Sequence, residues 1–401
     1  MDTLHVALIG FGTVGKGVYK SIEKQRGQLE SLLQKKISIE AILIKNDELE
    51  REVDENTLVT TELEELLNLP QLDIVFEAIN GVEPAETYLS RLIEKGCHII
   101  TANKELLATS GNDLRKLAVK HNVGLRYEAA VAASIPILST LREGIRSNQV
   151  KEISGILNGT SNFILNELQE KEISFDEALQ LAQEKGYAEA DPSNDIDGWD
   201  AFYKILILSD IVYGRQPKWE NITRKGIRDV ASFDIKKAEA LGLRIKHIAN
   251  LSLIAGEPVI TVESVAISST HPFFNITGVN NAIKVSGNLA GDITLQGPGA
   301  GAEPTASAMI EDLLSIDRNS SDAVCYSRRE KAEREDRNFM LIGEDGALRD
   351  LNFLPSSEEG AYYATGNRSE IEASLRLFPH VRIYPLQETV EHRFTSQLKV
   401  V

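Results

Sequence analysis

Short apolar runs recur along the first third of the chain, separated by longer stretches in which apolar and charged positions alternate at helical spacing. His5 to Ile9 is the first run, and Gly10-Phe11-Gly12-Thr13-Val14-Gly15 leads from it into a helical segment. Runs at Ile37 to Ile44, Asp73 to Ile79 and His98 to Thr101 follow, each set off by charged stretches of helical character. Strands that alternate with helices predict a parallel sheet with right-handed crossovers. The first 130 residues therefore read as a doubly wound nucleotide-binding domain.

The pattern changes after Pro136. A strand-like run from Glu152 to Leu157 passes through Asn158-Gly159-Thr160 into an amphipathic segment, Asn162 to Gln169, and helices are expected over Phe175 to Glu184 and Gly198 to Ser209. Ile245 to Ile254, Pro258 to Ile267 and Ala282 to Val285 then read as strands parted by Gly, Pro and Asn. Gly297-Pro298-Gly299-Ala300-Gly301 breaks the pattern and feeds a small-residue helix, Thr305 to Leu314. The expected organisation is α/β: a Rossmann-type doubly wound parallel sheet over residues 1–130, with 298–320 returning to it, and a second α/β domain with a largely β sheet over 131–297. Residues 321–401 form a C-terminal extension. In it, Arg328 to Arg337 is a charge run that reads as a solvated helix face or linker, and Asn338 to about Gln387 carries strands and a helix, Ser369 to Phe378.

Composition narrows the partners. With 401 residues and 42% apolar content, the chain can bury two or three ordinary cores. Its 60 acidic against 43 basic residues give a formal charge of -17, which repels polyanions and argues against nucleic acid. Two cysteines, Cys97 and Cys325, build no disulfide framework and no zinc spacing, as in a reducing compartment. No apolar window is long enough to span a membrane, and Met1-Asp2-Thr3 lacks the basic flank of a signal peptide, so a cytoplasmic location is expected.

Candidate chemistry starts at the glycine turn. In a strand-turn-helix context, Gly10 permits the tight turn, Gly12 lets a pyrophosphate approach the backbone, and Gly15 lets helix and strand pack closely. The amides that open the helix, with Phe11, Thr13 and Val14 around them, face an anion. The second strand ends in Lys45-Asn46-Asp47. Lys45 can pair with a 2'-phosphate, favouring NADP, while Asp47 keeps NAD open. Downstream, Glu189 to Asp200 holds five carboxylates in twelve positions, after which one lysine, Lys204, enters an apolar helix. Asp200 and Lys204 are four apart and share a helical face, which fits either a surface ion pair or a partly buried lysine able to exchange a proton with a substrate oxygen. Lys104 stands just beyond the fourth strand, at the edge where open parallel sheets bind ligands.

In their order along the chain, these segments resemble the homoserine dehydrogenases over about residues 1 to 315. They are Gly10 to Gly17, Thr101 to Lys104, Gly155 to Asn162, Gly186 to Pro192 with Asp200 and Lys204, His271-Pro272, and Gly297 to Thr305. The resemblance implies reversible reduction of aspartate 4-semialdehyde to homoserine with NAD(P)H, in threonine and methionine biosynthesis, by a homodimer built on the second domain. It makes Lys204 the proton donor, held by Asp200, with Lys104 beside the reacting carbonyl. Glu189 and Asp195 would bind the substrate ammonium, Gly159, Thr160 and Tyr187 would complete its pocket, and Gly301 would close over the nicotinamide. It also implies a monovalent cation, Na+ or K+, held at Glu128, Val131, Ala133 and Ile135, mainly by carbonyl oxygens.

Two departures stand out. The family's Val-Gly-Gly-Gly-Ile-Pro is here Val131-Ala132-Ala133-Ser134-Ile135-Pro136, and positive φ at any of the altered positions would cost about 1 kcal/mol or more. Nor does the chain after Asn338 carry the signature of the ACT domain that ends many longer members. A semialdehyde dehydrogenase with a cysteine nucleophile fits poorly, because Cys97 precedes a strand and Cys325 lies in a polar tail. A catalytically silent nucleotide sensor is the alternative from another class; Lys104, Glu189, Asp200 and Lys204 argue against it.

Overall fold

Strands with apolar side chains on both faces need cover on both sides, and the strands of the first sheet have it. The computed structural model describes residues 2–46, 53–316, 337–343, 353–376, 378 and 380–387; Asp47, Cys325 and the charge run up to residue 336 lie outside them. The chain divides into two compact units: Met1–Asn148, Tyr203–Gln216 and Leu295–Tyr326 form one, and Gln149–Phe202, Pro217–Thr294 and Ser327–Val401 the other.

In the first unit, β1 (Thr3–Ile9), β2 (Lys36–Leu43), β3 (Leu58–Thr60), β4 (Ile74–Glu77), β5 (His98–Thr101) and β6 (Leu125–Arg126) are all parallel, in the order β3-β2-β1-β4-β5-β6. The order reverses at β1, and a reversal of this kind opens a crevice at the carboxyl ends of the strands. Helices α1 (Thr13–Leu33), α2 (Leu63–Leu67), α3 (Ala85–Lys95) and α4 (Lys104–His121) make the crossovers, and the short α5 (Ala129–Ala132) and α6 (Ile137–Ser139) follow β6. β3 and β6, only three and two residues long, are too short to leave a periodic trace in the sequence.

The second unit carries a mixed sheet. β7 (Val150–Ile156), β8 (Thr223–Arg224), β9 (Leu243–Ile254), β10 (Glu257–Ser268), β11 (Asn280–Gly287) and β12 (Gly291–Pro298) take the order β12-β11-β7-β9-β10-β8. The β11/β7, β7/β9 and β9/β10 pairs are antiparallel, and β8 runs parallel to β10. Its helices include α7 (Gly159–Lys171), α8 (Phe175–Glu184), α9 (Ser193–Ile196), the opening of α10 (Trp199–Tyr213) and α11 (Ser232–Ala240). Tyr203 onward, including Lys204, counts with the first unit, as does α12 (Ala302–Ser315). Residues up to 148 and the later turns of α10 thus group with the first unit.

The C-terminal segment is part of the second unit. β13 (Arg337–Ile342), β14 (Leu354–Pro355), β15 (Ala361–Gly366) and β16 (Arg382–Pro385) pair antiparallel in the order β14-β15-β13-β16, with the helix Arg368–Ser374 before the last strand. That 2-3-1-4 order is ferredoxin-like. Met340, Ile342 and Tyr384 enter one apolar cluster with Phe163, Ile164, Ala178, Ile235 and Ile245. Arg368 Nη1 donates to both oxygens of buried Glu263 at 2.6 Å, and the Tyr384 hydroxyl donates to Asp234 at 2.6 Å. A module sharing a core and a buried ion pair in this way is expected to melt with its host. Arg368→Ala, which leaves the Glu263 carboxylate without its guanidinium, should lower the stability of the whole second unit by about 3 kcal/mol in a urea titration.

Candidate functional site

The glycine turn shows why each of its glycines is required. Gly10 has φ +91°, and a Cβ there would lie 2.7 Å from both the Ala78 carbonyl oxygen and Ile79 Cγ2. At Gly15 a Cβ would meet the Gly10 carbonyl oxygen at 2.0 Å, so the first turn of α1 rests directly on the turn before it. Gly12, by contrast, would meet nothing within 4 Å, is exposed, and caps α1 without a side chain. Open space over a bare helix N-terminus fits the pyrophosphate of a dinucleotide. Phe11 packs edge-on against Tyr19 at 5.6 Å, while Thr13 is exposed and Val14 half-buried. The Gly10 amide donates to Leu43 O at 2.8 Å, which puts exposed Lys45 two residues past the strand position beside the turn. Gly301, at φ +115°, caps α12, and a Cβ on Gly17 would stand 2.8 Å from the carbonyl oxygen of the next residue, Ala302.

At the carboxyl ends of β4 and β5, Glu77 is fully buried. Its Oε1 accepts the Ile79 amide at 2.8 Å, and its carboxylate also accepts the Thr101 hydroxyl. Burial pushes its carboxyl up to about 7, against the pull of the Thr101, Ile79 and Asn103 hydrogen bonds. Asn103 caps α4 by accepting the Leu106 amide at 3.1 Å, and half-buried Lys104 is the first residue of that helix.

In the second unit, one amide gathers two of the five clustered carboxylates. Asn158 Nδ2 donates to Asp195 Oδ1 at 2.7 Å and to Asp200 Oδ2 at 2.9 Å, while Asn158 Oδ1 caps α7 by accepting the Ser161 amide at 2.7 Å. Asn158 and Asp200 are both buried. Gly159 has no room for a side chain: a Cβ would lie 2.5 Å from the Val279 carbonyl oxygen. Asn162 Nδ2 holds the carbonyls of Gly278 (3.0 Å), Ile276 and Asn280 (3.3 Å each), and buried Lys246 donates to Asn162, Asn166 and Ile276, so the 276–280 turn is braced from inside. The Thr160 hydroxyl donates to the Tyr187 carbonyl at 2.7 Å, and the Tyr187 ring meets Phe163 edge-on at 5.0 Å. Glu189 lies outside this group, exposed, its carbonyl accepting Gln183.

His247 borders the acids. Its Nε2 sits 2.9 Å from the Lys225 carbonyl, which only accepts, so Nε2 carries the hydrogen. Burial lowers its pKa, with the Lys225 carbonyl and the Asp200 charge working against the shift. Lys204 lies one helical turn after Asp200 on α10 and is only 7% exposed. The bland alternative from the sequence, a solvated surface ion pair, does not describe two groups this deeply buried.

The residues after β6 form a strained loop. Ala133 has φ +45° and ψ −116°, a conformation that glycine adopts without penalty, so the expected cost of the missing glycine is present at this position. The Glu128 carboxylate accepts the amides of Leu138 and Ser139 at 2.7 Å and the Ser139 hydroxyl at 2.5 Å, holding the start of α6. Two of the four residues expected to hold a cation each accept one backbone hydrogen bond, which leaves a second lone pair on the carbonyl: Glu128 O accepts Val131 N (3.4 Å), and Ile135 O accepts Ile137 N (2.8 Å). Among the described residues no group of three or more His, Cys, Asp or Glu is placed to hold a metal, and no helix is long and apolar enough to cross a membrane.

Sequence reasoning assigned no role to Asn158, Glu77 or His247. A polar residue closing an apolar strand was the available signal for two of them, in Ile74-Val75-Phe76-Glu77 and in the Ile156-Leu157-Asn158 step into Gly159. His247, inside a strand, gave none.

Comparison with known proteins gives two profile matches in succession along the chain. Residues 10–128 match the family profile described as the NAD binding domain of homoserine dehydrogenase, and residues 136–314 match that described as homoserine dehydrogenase. Homoserine dehydrogenase of Lactococcus lactis subsp. lactis is 37% identical over 323 residues, 80% of this chain and 76% of that one. The crystal structure of a homoserine dehydrogenase from Thiobacillus denitrificans superposes with a TM-score of 0.87 at 29% identity, covering 97% of this chain and 99% of the other. A hyperthermophilic archaeal homoserine dehydrogenase in complex with NADPH superposes with a TM-score of 0.67 at 26% identity, covering 78% and 97%.

The loop after β6 yields a pH prediction. Asp312 of α12 accepts the Glu128 amide at 2.8 Å, and burial, followed by the Glu128 charge, pushes its carboxyl from 3.8 up to about 7. The unfolded chain releases this proton first, so stability falls as pH rises between those two values. Asp312→Asn keeps the acceptor oxygen and removes the charge. Thermal melts should show the variant more stable than the parent at pH 8 and no more stable at pH 4.

Proposed function

This chain belongs to the homoserine dehydrogenase family and is an NAD(P)-dependent oxidoreductase acting on a CH–OH group; from that premise we propose that Lys204 carries the proton of the reaction. In the reductive direction its ammonium donates to the oxygen of L-aspartate 4-semialdehyde as the alcohol of L-homoserine forms, and in oxidation its neutral amine takes that proton back. The observation that carries this reading is the burial of Lys204 one turn after Asp200, an acid fixed by the Asn158 amide. A carboxylate so placed keeps charge beside the lysine and holds the helix face that bears it.

The remaining roles follow the chemistry of the substrate. Asp195, fixed through Asn158, and Glu189 attract the ammonium of the amino acid, while Tyr187, Thr160 and the side-chain-free Gly159 shape its pocket. Lys104, at the start of α4, stands by the reacting carbonyl. When bound, the nicotinamide gives or takes the hydride. Gly10, Phe11, Gly12, Thr13, Val14 and Gly15 receive the dinucleotide, with Gly301 closing over it, and the open space above Gly12 fits that role. Lys45 directs preference to NADP by meeting a 2'-phosphate; its exposure at the end of β2 supports this.

A monovalent cation fits the loop after β6 only as a carbonyl-held ion. The Glu128 carboxylate is committed to Leu138 and Ser139, so Na+ or K+ would rest on backbone oxygens of Glu128, Val131, Ala133 and Ile135 and would brace the loop. A homodimer in the cytoplasm completes the reading, supported by β12 standing at the edge of its sheet among the described residues and by a chain with only two cysteines.

Two substitutions test these roles. Lys204→Ala should lower kcat for homoserine oxidation by about a thousandfold, while the Kd for NADP measured by titration stays near the parent value; an unchanged kcat removes Lys204 from the mechanism. Lys45→Ala should weaken NADP more than NAD in the same titration, and equal losses would contradict the phosphate contact.

A further inference from the structure

The mechanism above makes no use of Glu77, yet loops from three strand ends converge on it. Its Oε1 accepts the Ile79 amide at 2.8 Å, and Gly10 is pressed against that same Ala78-Ile79 segment, where a Cβ would come within 2.7 Å. Its carboxylate accepts the Thr101 hydroxyl, and Thr101 Oγ1 in turn accepts the Asn103 amide at 3.0 Å. Asn103 then works in two directions, donating from Nδ2 to Gly81 O at 2.8 Å and capping α4 at the Leu106 amide. The next residue in the chain is Lys104.

A carboxylate with no exposure is a poor choice for closing an apolar strand. Burial penalises its charge, and a core needs no acid there. Rules of local stability are most often broken where geometry has to be held for chemistry. We infer that Glu77 is a positioning residue: through Thr101 and Asn103 it holds the first turn of α4 so that Lys104 presents its amine to the carbonyl under reduction. This rests on the role proposed above for Lys104. In its ionised form the carboxylate suits the task, because it takes the Ile79 amide and the Thr101 hydroxyl together, whereas an amide would turn a donor towards one of them. Thr101, donating its hydroxyl hydrogen bond to Glu77, keeps a lone pair for the Asn103 amide.

The test is a double-mutant cycle on the full chain, with kcat for homoserine oxidation, Kd for NADP and thermal melting as readouts. Thr101→Val keeps the shape and removes the hydroxyl; Thr101→Ser keeps the hydroxyl. Thr101→Val should lower kcat about tenfold or more, as displacement of a reacting group does, with little change in Kd. Thr101→Ser should stay within about twofold of the parent, and in a Lys104→Ala background Thr101→Val should cost less than about twofold, the non-additivity of residues acting through one another. Glu77→Gln repeats the cycle where valine at position 101 prevents folding. Equal losses with and without Lys104, equal losses for serine and valine, or a lower melting temperature with kcat unchanged would each overturn the inference. Parent-like kcat in Lys104→Ala alone would overturn the role of Lys104 itself, a result distinct from additive losses, which remove only Glu77.

Discussion

Two carboxylates, Asp195 and Asp200, are bound by the two hydrogens of a single amide on Asn158. Acids this close repel one another, and repulsion is strongest where water is excluded, so their approach depends on donors supplied by the fold. Asn158 can supply them because its own position is set twice: it ends the strand side of the β7-to-α7 step, and its Oδ1 caps α7. The Gly159 contact with Val279 then leaves that helix no room to slide. With Asp200 held in this way, α10 starts in a defined orientation, and Lys204 follows one turn later.

A similar economy governs the nucleotide end. The 2.0 Å approach that a Cβ at Gly15 would make to Gly10 shows how tightly α1 is seated, while the emptiness around Gly12 leaves its N-terminus open. Glu77 ties the adjacent loops from beneath. In each unit a polar side chain closes an apolar strand and binds the loop that follows, Glu77 after β4 and Asn158 after β7. At the loop after β6, Ala133 at positive φ shows that the backbone conformation survives the loss of glycine at a local cost in strain.

Much of the architecture was legible from periodicity. The apolar runs of β1, β2, β4 and β5 and the long helical stretches between them were enough for a parallel Rossmann-type sheet, and β9 and β10 for a largely β second sheet. The short strands β3, β6 and β8 were not legible, because two or three residues carry no period and owe their pairing to neighbours distant in sequence. Residues 131–148 and 203–216 group with the first unit through contacts that no local pattern records. Within the site, glycines and charged residues were visible by type and spacing. Asn158, Glu77 and His247 were not, since each matters for the partner it meets in space. The C-terminal sheet was foreseen as strands and a helix, but its sharing of a core with α7, α8 and α11 was not.

The amine of Lys204 is the group proposed to exchange the substrate proton. Chemical rescue addresses this most directly: the Lys204→Ala enzyme, saturated with homoserine and NADP, is assayed with added ammonia, methylamine and ethylamine at fixed ionic strength and pH. Turnover should return in a saturable way with the neutral amine and, among amines of similar size, rise with basicity. Absence of rescue by any of the amines, or equal stimulation by non-basic molecules of the same size, would contradict it.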